Sequence, residues 1–402
     1  MRTRTRFALV AGIAALAAAV PLSVAAAASS DGSPGSYTFA MYGDAPYGTN
    51  PTDTAEFQAT PAFIASVNAA SDVNFVGHVG DIHSGKQFCT EAYDRSIAGL
   101  WQAYTKPLVY TPGDNEWTDC HKAGEGGGTY DPATGQIKHV LDPTTGQPVD
   151  YAGGDPAANL ALVRQIFFPQ PGATLGSGSL HVDSQATDFD PAHPSDAQFV
   201  ENVMWERKGM LFVTVDLPGG SNNDADAWYG APAASAAQTQ EAADRTGADL
   251  RWLDRAFGQA QADDVRAVVV MLQADMWDLD GNTTAHLSNY EPIVASLANH
   301  TTAFGKSVLL FNGDSHVYRS DNPLVPDAPC TTEAPGGGEQ SCSSVYFAHP
   351  FYNVPNFHRI VVHGSTFPLE WLKVTYSPPG HTPSGPNTFG PFSWVRMPQP
   401  QS

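Results

Sequence analysis

The sequence predicts a mixed α/β domain, on three observations. Short apolar runs rich in Val, Phe and Tyr recur along the chain and read as strands. Stretches with helical periodicity separate several of them. The last strands follow one another without a helix between, which asks for a mixed sheet, or for two sheets packed face to face with helices outside.

In chain order the strand candidates are SYTFAMYG, VNFVGHVG, PLVYTPG, MLFVTVDL, AVVVMLQ, SVLLFNG, HRIVVHG and WLKVTY. After the first, Thr60 followed by Pro61 predicts a helix cap and first helical residue, leading into Phe63, Ile64 and Val67. Leu160, Val163 and Phe167 repeat at helical spacing, as do Leu250, Leu253 and Phe257. Asp155, between Gly154 and Pro156, reads as the cap of the first of these two helices. Residues 121–157 and 171–198 are rich in Gly, Pro, Asp and Thr and read as surface loops inserted in one domain spanning 37–376. Residues 377–402 read as a Pro-rich tail ordered by packing on that domain. No internal repeat is present, and the strand order does not follow from the pattern.

The chain has 402 residues, 42% apolar and 15% charged, enough for one large α/β domain or two medium ones with a sizeable core. Residues 1–28 have the parts of an export signal. Arg2, Arg4 and Arg6 precede an apolar run, and Ala26, Ala27 and Ala28 offer a small-residue cleavage site before Ser29. Phe7 to Ala28 could also span a bilayer as an uncleaved anchor, but Pro21 and the alanine-rich end favour cleavage. The expected location is secreted or extracytoplasmic, with no membrane attachment after cleavage. The four cysteines fit that compartment as two disulfides, with neighbours paired, Cys89 with Cys120 and Cys330 with Cys342, each stapling a loop. A cysteine zinc site lacks any C-x-x-C spacing.

The formal charge is −21, and loss of the signal arginines lowers it further. A long polyanion such as nucleic acid is therefore not expected as a stable partner. A small anionic substrate would need a local source of positive charge, which a bound metal ion supplies.

The strand ends carry the chemistry. Asp44, Asp81, Asp114 and Asp314 each follow a Gly at the carboxyl end of an apolar run, and AVVVML ends in Gln273-Ala274-Asp275. Ligands of open α/β sheets sit at those ends. One Gly-Asp is explained equally well by a turn or a helix cap; four at equivalent positions are not. Carboxylates gathered there repel unless a cation holds them. An oxygen-rich set with one imidazole suits Mg, Mn or Ca, and accommodates Zn or Fe.

In order and strand placement GDAPYG, GDIHSGK, GDNEW, MLQADMW and GDSHVY resemble the motifs of the calcineurin-like metallophosphoesterases, which include the purple acid phosphatases. Those motifs run from a strand-end Asp through Gly-Asp, Gly-Asn-His-Glu/Asp and a strand-end His to Gly-His-x-His. The resemblance covers Tyr37 to about Tyr318, and the final strands resemble the family's second sheet. It implies a four-layer αββα sandwich, two mixed β-sheets flanked by helices, with two divalent ions (Mn, Mg, Ca, Zn or Fe) between the sheets. It also implies hydrolysis of phosphomonoesters or small phosphodiesters by a metal-activated water.

Asp44, Asp81 and His316 keep the family's residue type. Asp44-Ala45-Pro46 stands where many relatives have Asp-x-His; that imidazole is missing here, and purple acid phosphatases lack it too. Asp114 falls at the bridging asparagine, Asn115 at the catalytic histidine, and Gln273 and Asp314 at ligand histidines. The resemblance makes Asp44 and His316 ligands of the first metal and Asp81 the bridge. Asp114, Gln273 and Asp314 are the remaining ligands, with Asp275 replacing Gln273 if that side chain points away. A one-residue slip would make Asn115 the ligand instead of Asp114.

His83, two residues after Asp81, is the candidate general acid, equally readable as a locally bonded surface histidine. Lys86 and Arg319 are candidate phosphate holders, each also readable as a solvated charge. His78 reads as a core histidine, and Tyr47, His121 and Tyr318 as pocket walls. GDIHSGK matches G-x-x-x-x-G-K of a phosphate loop, but Gln87 replaces the required Ser or Thr. A lipase-type elbow and a zincin helix are absent. A glycosidase would not need one Gly-Asp on four strands. The rival reading is a catalytically silent relative that binds metal or a phosphorylated ligand.

Overall fold

The computed structural model describes residues 35–47, 51–223, 226–279 and 283–399. The proposed signal peptide and its cleavage site lie outside them. Strand β1 (Tyr37–Tyr42), helix Pro51–Ala69, strand β2 (Val73–His78), helix Glu91–Trp101 and strand β3 (Leu108–Tyr110) form an alternating opening. A hairpin of β4 (Gly128–Asp131) and β5 (Gln136–His139) follows, then helix Pro156–Phe167. Next come β6 (Asp183–Ser184), β7 (Val203–Arg207), β8 (Met210–Thr214), helix Ala236–Ala262, β9 (Ala267–Met271), helix Glu291–Phe304 and β10 (Ser307–Asn312). The chain closes with β11 (Arg319–Asp321), β12 (Thr331–Glu333), β13 (Glu339–Ser341), β14 (Phe357–Val361), β15 (Glu370–Tyr376), β16 (Thr388–Phe389) and β17 (Phe392–Pro398).

Two large mixed sheets result. One has the order β16-β17-β15-β1-β2-β3, with β1, β2 and β3 parallel and β15 antiparallel to β1. The other has the order β13-β12-β11-β14-β10-β9-β8-β7-β6, with β8, β9, β10 and β14 parallel. Alternating side chains sort into three apolar layers. Phe39 and Phe75 of the first sheet pack against Phe212, Val269 and Phe311 of the second. Phe212 sits edge-on to Phe39 and Phe75, at ring separations of 5.4 and 5.1 Å. The opposite face of the first sheet, including Ala40, Val76 and Tyr110, is covered by Phe63, Trp101 and Phe167 from three helices. That of the second, including Val213, Val270 and Leu310, is covered by Trp252, Phe257, Ile293 and Leu297. The architecture is the four-layer αββα sandwich, and every strand candidate named from the sequence is a strand.

Asp155 caps its helix, its carboxylate accepting from the Ala158 N–H at 2.9 Å. Thr60 does not cap. The helix already begins at Pro51, so Pro61 lies inside it, and the Thr60 hydroxyl donates to the Glu56 carbonyl one turn back at 2.8 Å. Beyond Tyr376 the chain is not merely packed on the domain, because β17 pairs along its length with β15 and extends the first sheet. Both cysteine pairs form the expected disulfides. No helix among the described residues is long and apolar enough to cross a membrane.

Candidate metal centre

Parallel strands of both sheets deliver their carboxyl ends to one place. Asp44 follows β1, Asp81 follows β2, Asp114 and Asn115 follow β3, Gln273 follows β9, and Asp314 and His316 follow β10. Asp44, Asp81, Asp314 and His316 all have positive φ, between 48° and 74°. Such backbone is uncommon outside glycine, costs on the order of 1–3 kcal/mol per residue, and clusters where side chains must be aimed.

The two sheets meet through these side chains. The Asp314 N–H donates to Asp44 Oδ1 at 2.8 Å, and the Asp275 N–H donates to Asp314 Oδ2 at 3.0 Å. Gln273 Nε2 donates to Asp81 Oδ2 at 3.2 Å and to Asp114 Oδ1 at 3.1 Å, while Gln273 Oε1 accepts from the Gly219 N–H at 2.5 Å. Asn115 Nδ2 reaches Asp81 Oδ2 at 3.1 Å. Tyr47 joins the group, its hydroxyl 3.1 Å from His316 Nε2 and 3.4 Å from Asn115 Nδ2. Ligand atoms of Asp44, Asp81 and His316 lie within 4.8 Å of one another.

The donor set fits divalent cations on two structural grounds. Asp44 Oδ2 is buried without a hydrogen-bond partner. Three glycines leave the space around the carboxylates open. A Cβ at Gly113 would stand 1.9 Å from Asp81 Oδ1, one at Gly219 would stand 2.3 Å from Asp114 Oδ2, and one at Gly313 would stand 2.5 Å from Asp44 Oδ2. In the metal-free chain, burial pushes Asp44, Asp81 and Asp314 well above the ordinary carboxylate range. The Asp314 N–H pulls Asp44 partly back, while the Asp114 charge pushes all three further up. Burial, followed by the Asp119 charge, raises Asp114 to about 7. Burial lowers His316 to about 4, so its imidazole is neutral and can ligate.

Other residues named from the sequence stand elsewhere. Asp275 is tied to the Arg359 guanidinium and accepts from the Ser315 hydroxyl at 2.9 Å, so it serves an ion pair and is not directed to the ligand set. His83 is wholly buried against Tyr93, so it touches no leaving group in this state. Lys86 is exposed, with no contact to the carboxylates among the described residues. Arg319 directs Nη1 to the Ser343 carbonyl at 3.3 Å. His78 is a core histidine, its Nε2 2.8 Å from the Ala45 carbonyl and its Nδ1 accepting from the Gly80 N–H at 3.1 Å. Tyr318 is no pocket wall, being buried with its hydroxyl accepting from Trp394 Nε1 at 2.8 Å. His121 Nδ1 accepts from the Tyr229 N–H at 3.0 Å.

Sequence reasoning missed three contributors. Glu116, the last residue of GDNE, is 1% exposed and braces the turn, accepting from the N–H groups of Gly113 at 2.7 Å and Asp81 at 3.2 Å and from the Tyr110 hydroxyl. Gly219 opens a left-handed turn in which Gly220, Ser221 and Asn222 all have φ near 60°. Lys122 lines a cavity of about 210 Å³ together with Asp114, Asp314, Ser221 and Tyr290. Burial opposes its charge, but the charge and hydrogen bond of Asp119, 2.5 Å from the ammonium, together with the charges of Asp114 and Glu125, more than offset burial and keep Lys122 protonated.

No family model and no curated protein matches the chain. Among solved structures it is similar to "Structure of PhoD", with 13% identity, a TM-score of 0.41, and coverage of 83% of this chain and 57% of that one. It is also similar to the purple acid phosphatase PPD1 from yellow lupin (Lupinus luteus) seeds, with 12% identity, a TM-score of 0.36, and coverage of 85% and 50%. The chain thus spans 57% and 50% of the lengths of these two. Likenesses of this strength carry no argument about activity, which rests on the residues of the chain itself.

Proposed function

We propose that the chain is an exported, metal-dependent phosphoesterase acting on phosphomonoesters or small phosphodiesters. The observation that carries this is the convergence of Asp44, Asp81, Asp114, Gln273, Asp314 and His316 from strands of both sheets on one oxygen-rich centre. Asp44, Asp81 and His316 would hold one divalent ion, and Asp81, Asp114 and Asp314 a second. Gln273, whose Nε2 faces Asp81 and Asp114 while its Oε1 is held by the Gly219 N–H, orients those carboxylates and would have to turn its oxygen inward to ligate. When bound, such ions neutralise phosphate charge and make a water nucleophilic near neutral pH.

The chain's own groups do the rest. Asn115, fixed on Asp81, presents its side-chain amide beside the Tyr47 hydroxyl, where it can donate to a phosphoryl oxygen. Lys122 supplies the cationic wall of the adjoining cavity, the part that Lys86 and Arg319 were expected to play. Two disulfides suit an oxidising compartment outside the cytoplasm.

The test is hydrolysis of p-nitrophenyl phosphate and its bis ester by the purified chain, with metal analysis and EDTA controls. Turnover that EDTA abolishes and a divalent ion restores is the expected result. Bound metal without turnover under Mg, Mn, Ca, Zn or Fe would replace this reading with the silent binder. One observation favours that rival: an amide stands at Asn115, and His83, the imidazole two residues after Asp81, is sealed from solvent.

A further inference from the structure

A second group of ligand-type side chains, separate from the carboxylate centre, surrounds one sulfur of the first disulfide. A ring nitrogen of His83, the sulfur of Cys89 and a carboxylate oxygen of Glu125 lie within 4.8 Å of one another. His83 is 0% and Glu125 1% exposed. His83 Nε2 and Glu125 Oε2 are both buried without a hydrogen-bond partner. Leaving a buried polar atom unpaired costs about 1–3 kcal/mol, so one such atom on each of two residues of this cluster calls for an explanation. While Cys89 is bonded to Cys120, its sulfur is no thiolate and a poor ligand.

We propose that reduction of the Cys89–Cys120 disulfide turns this cluster into a zinc site, with His83, the Cys89 thiolate and Glu125 as ligands. A dithiol reductant supplies two electrons and two protons. The Cys89–Cys120 bond breaks, the reductant closes to its own disulfide, and each cysteine is left as a thiol. Zinc binding displaces the Cys89 proton to solvent. Cys120, bonded to Cys89 until then, is the nearest group for a fourth, tetrahedral position. Imidazole, thiolate and carboxylate together select zinc over magnesium or calcium, unlike the oxygen donors of the main centre.

The two centres share a wall. The sulfurs of Cys89 and Cys120 lie 3.4 and 3.7 Å from the carbonyl oxygen of Asn115, whose side chain grips Asp81. Opening the disulfide and filling the site therefore acts on the turn that carries Asn115. This inference does not depend on the main centre being catalytic.

The experiment uses the full chain carrying Cys330→Ser and Cys342→Ser, so that only one disulfide remains. It is compared oxidised and after dithiothreitol reduction and anaerobic desalting, first with zinc and then with cobalt as an optical probe. Reduction is expected to add one zinc per chain and, with cobalt, a near-ultraviolet sulfur-to-metal charge-transfer band. That band should survive Asp81→Ala, whereas His83→Ala and Glu125→Gln should each weaken binding at least tenfold. Near-ultraviolet circular dichroism checks that each variant is folded, and His83→Gln replaces His83→Ala if it is not. Failure of reduction to add a metal overturns the proposal, as does an unchanged band in a folded His83 or Glu125 variant. Loss of phosphoesterase activity alone leaves these readouts untouched and bears only on the proposed function.

Discussion

Asn115 holds Asp81 by its side chain and approaches it by its backbone, with Nδ2 3.1 Å from Oδ2 and the main-chain N–H 3.4 Å from Oδ1. The carboxylate placed to bridge the two sheets is thus aimed by the turn after β3, in the same sheet, and its Oδ2 meets Gln273 of the other sheet at 3.2 Å.

In the oxidised chain Asp81→Ala should therefore abolish metal binding at the carboxylate centre, since both proposed ion positions lose a ligand. Metal content by mass spectrometry after dialysis checks this. A variant with full occupancy would remove Asp81 from the site.

Gly219→Ala should lower metal affinity at least tenfold, about 1.4 kcal/mol, while the chain stays folded. The added methyl would stand 2.3 Å from Asp114 Oδ2 and 2.8 Å from Asp314 Oδ1, and the carboxylates must move to admit it. Calorimetric titration with Mn or Zn reads the change; an unaltered dissociation constant contradicts the cradle.

Arg359→Leu should destabilise the protein by about 3–5 kcal/mol, the range for breaking a buried ion pair on one side. Arg359 is 1% exposed and lies between Asp275 and Asp321, with Nε 2.9 Å from Asp321 Oδ1 and its guanidinium carbon 5.1 Å from the Trp277 ring centre. Denaturant unfolding measures the loss. A change below about 1 kcal/mol, the scale of an exposed pair, would show that the two aspartates find other partners.

Stability of the metal-free chain should fall as pH rises from mildly acid to mildly alkaline. Burial raises Asp249 to about 8, against the opposing pull of Arg245 and the Asn202 amide. The folded chain then keeps a proton that the unfolded chain releases near the ordinary value of about 4. Asp249 stabilises fully below that value, and its contribution is lost as pH rises through about 8. Melting curves in EDTA check the slope, and Asp249→Asn, which cannot titrate, should flatten it. A slope equal to that of the wild type would assign the effect elsewhere.

The parallel strands were legible because burial on both faces makes them near-continuous apolar runs, as in AVVVM of β9 and SVLLFN of β10. The residues gathered at the candidate centre were legible because each sits directly after such a run. What the sequence hid was mostly long-range. Asp275 looked like a reserve ligand until Arg359, 84 positions later, claimed it. His83 looked accessible beside Asp81 until Cys89, Tyr93 and Glu125 enclosed it. Thr60-Pro61 carries a genuine helix-start signal that tertiary packing overrides, and the prolines flanking β17 masked a strand that only its partner β15 reveals.

Asp44 and Asp314, joined at 2.8 Å, are 270 positions apart. A cation held by that pair and its neighbours would act as a removable cross-link between an early strand and a late one, closing most of the domain into a loop. Its release and the opening of the sandwich then become linked events. The chain's persistence against heat or proteases becomes a function of free metal concentration, set by the surroundings as much as by the sequence.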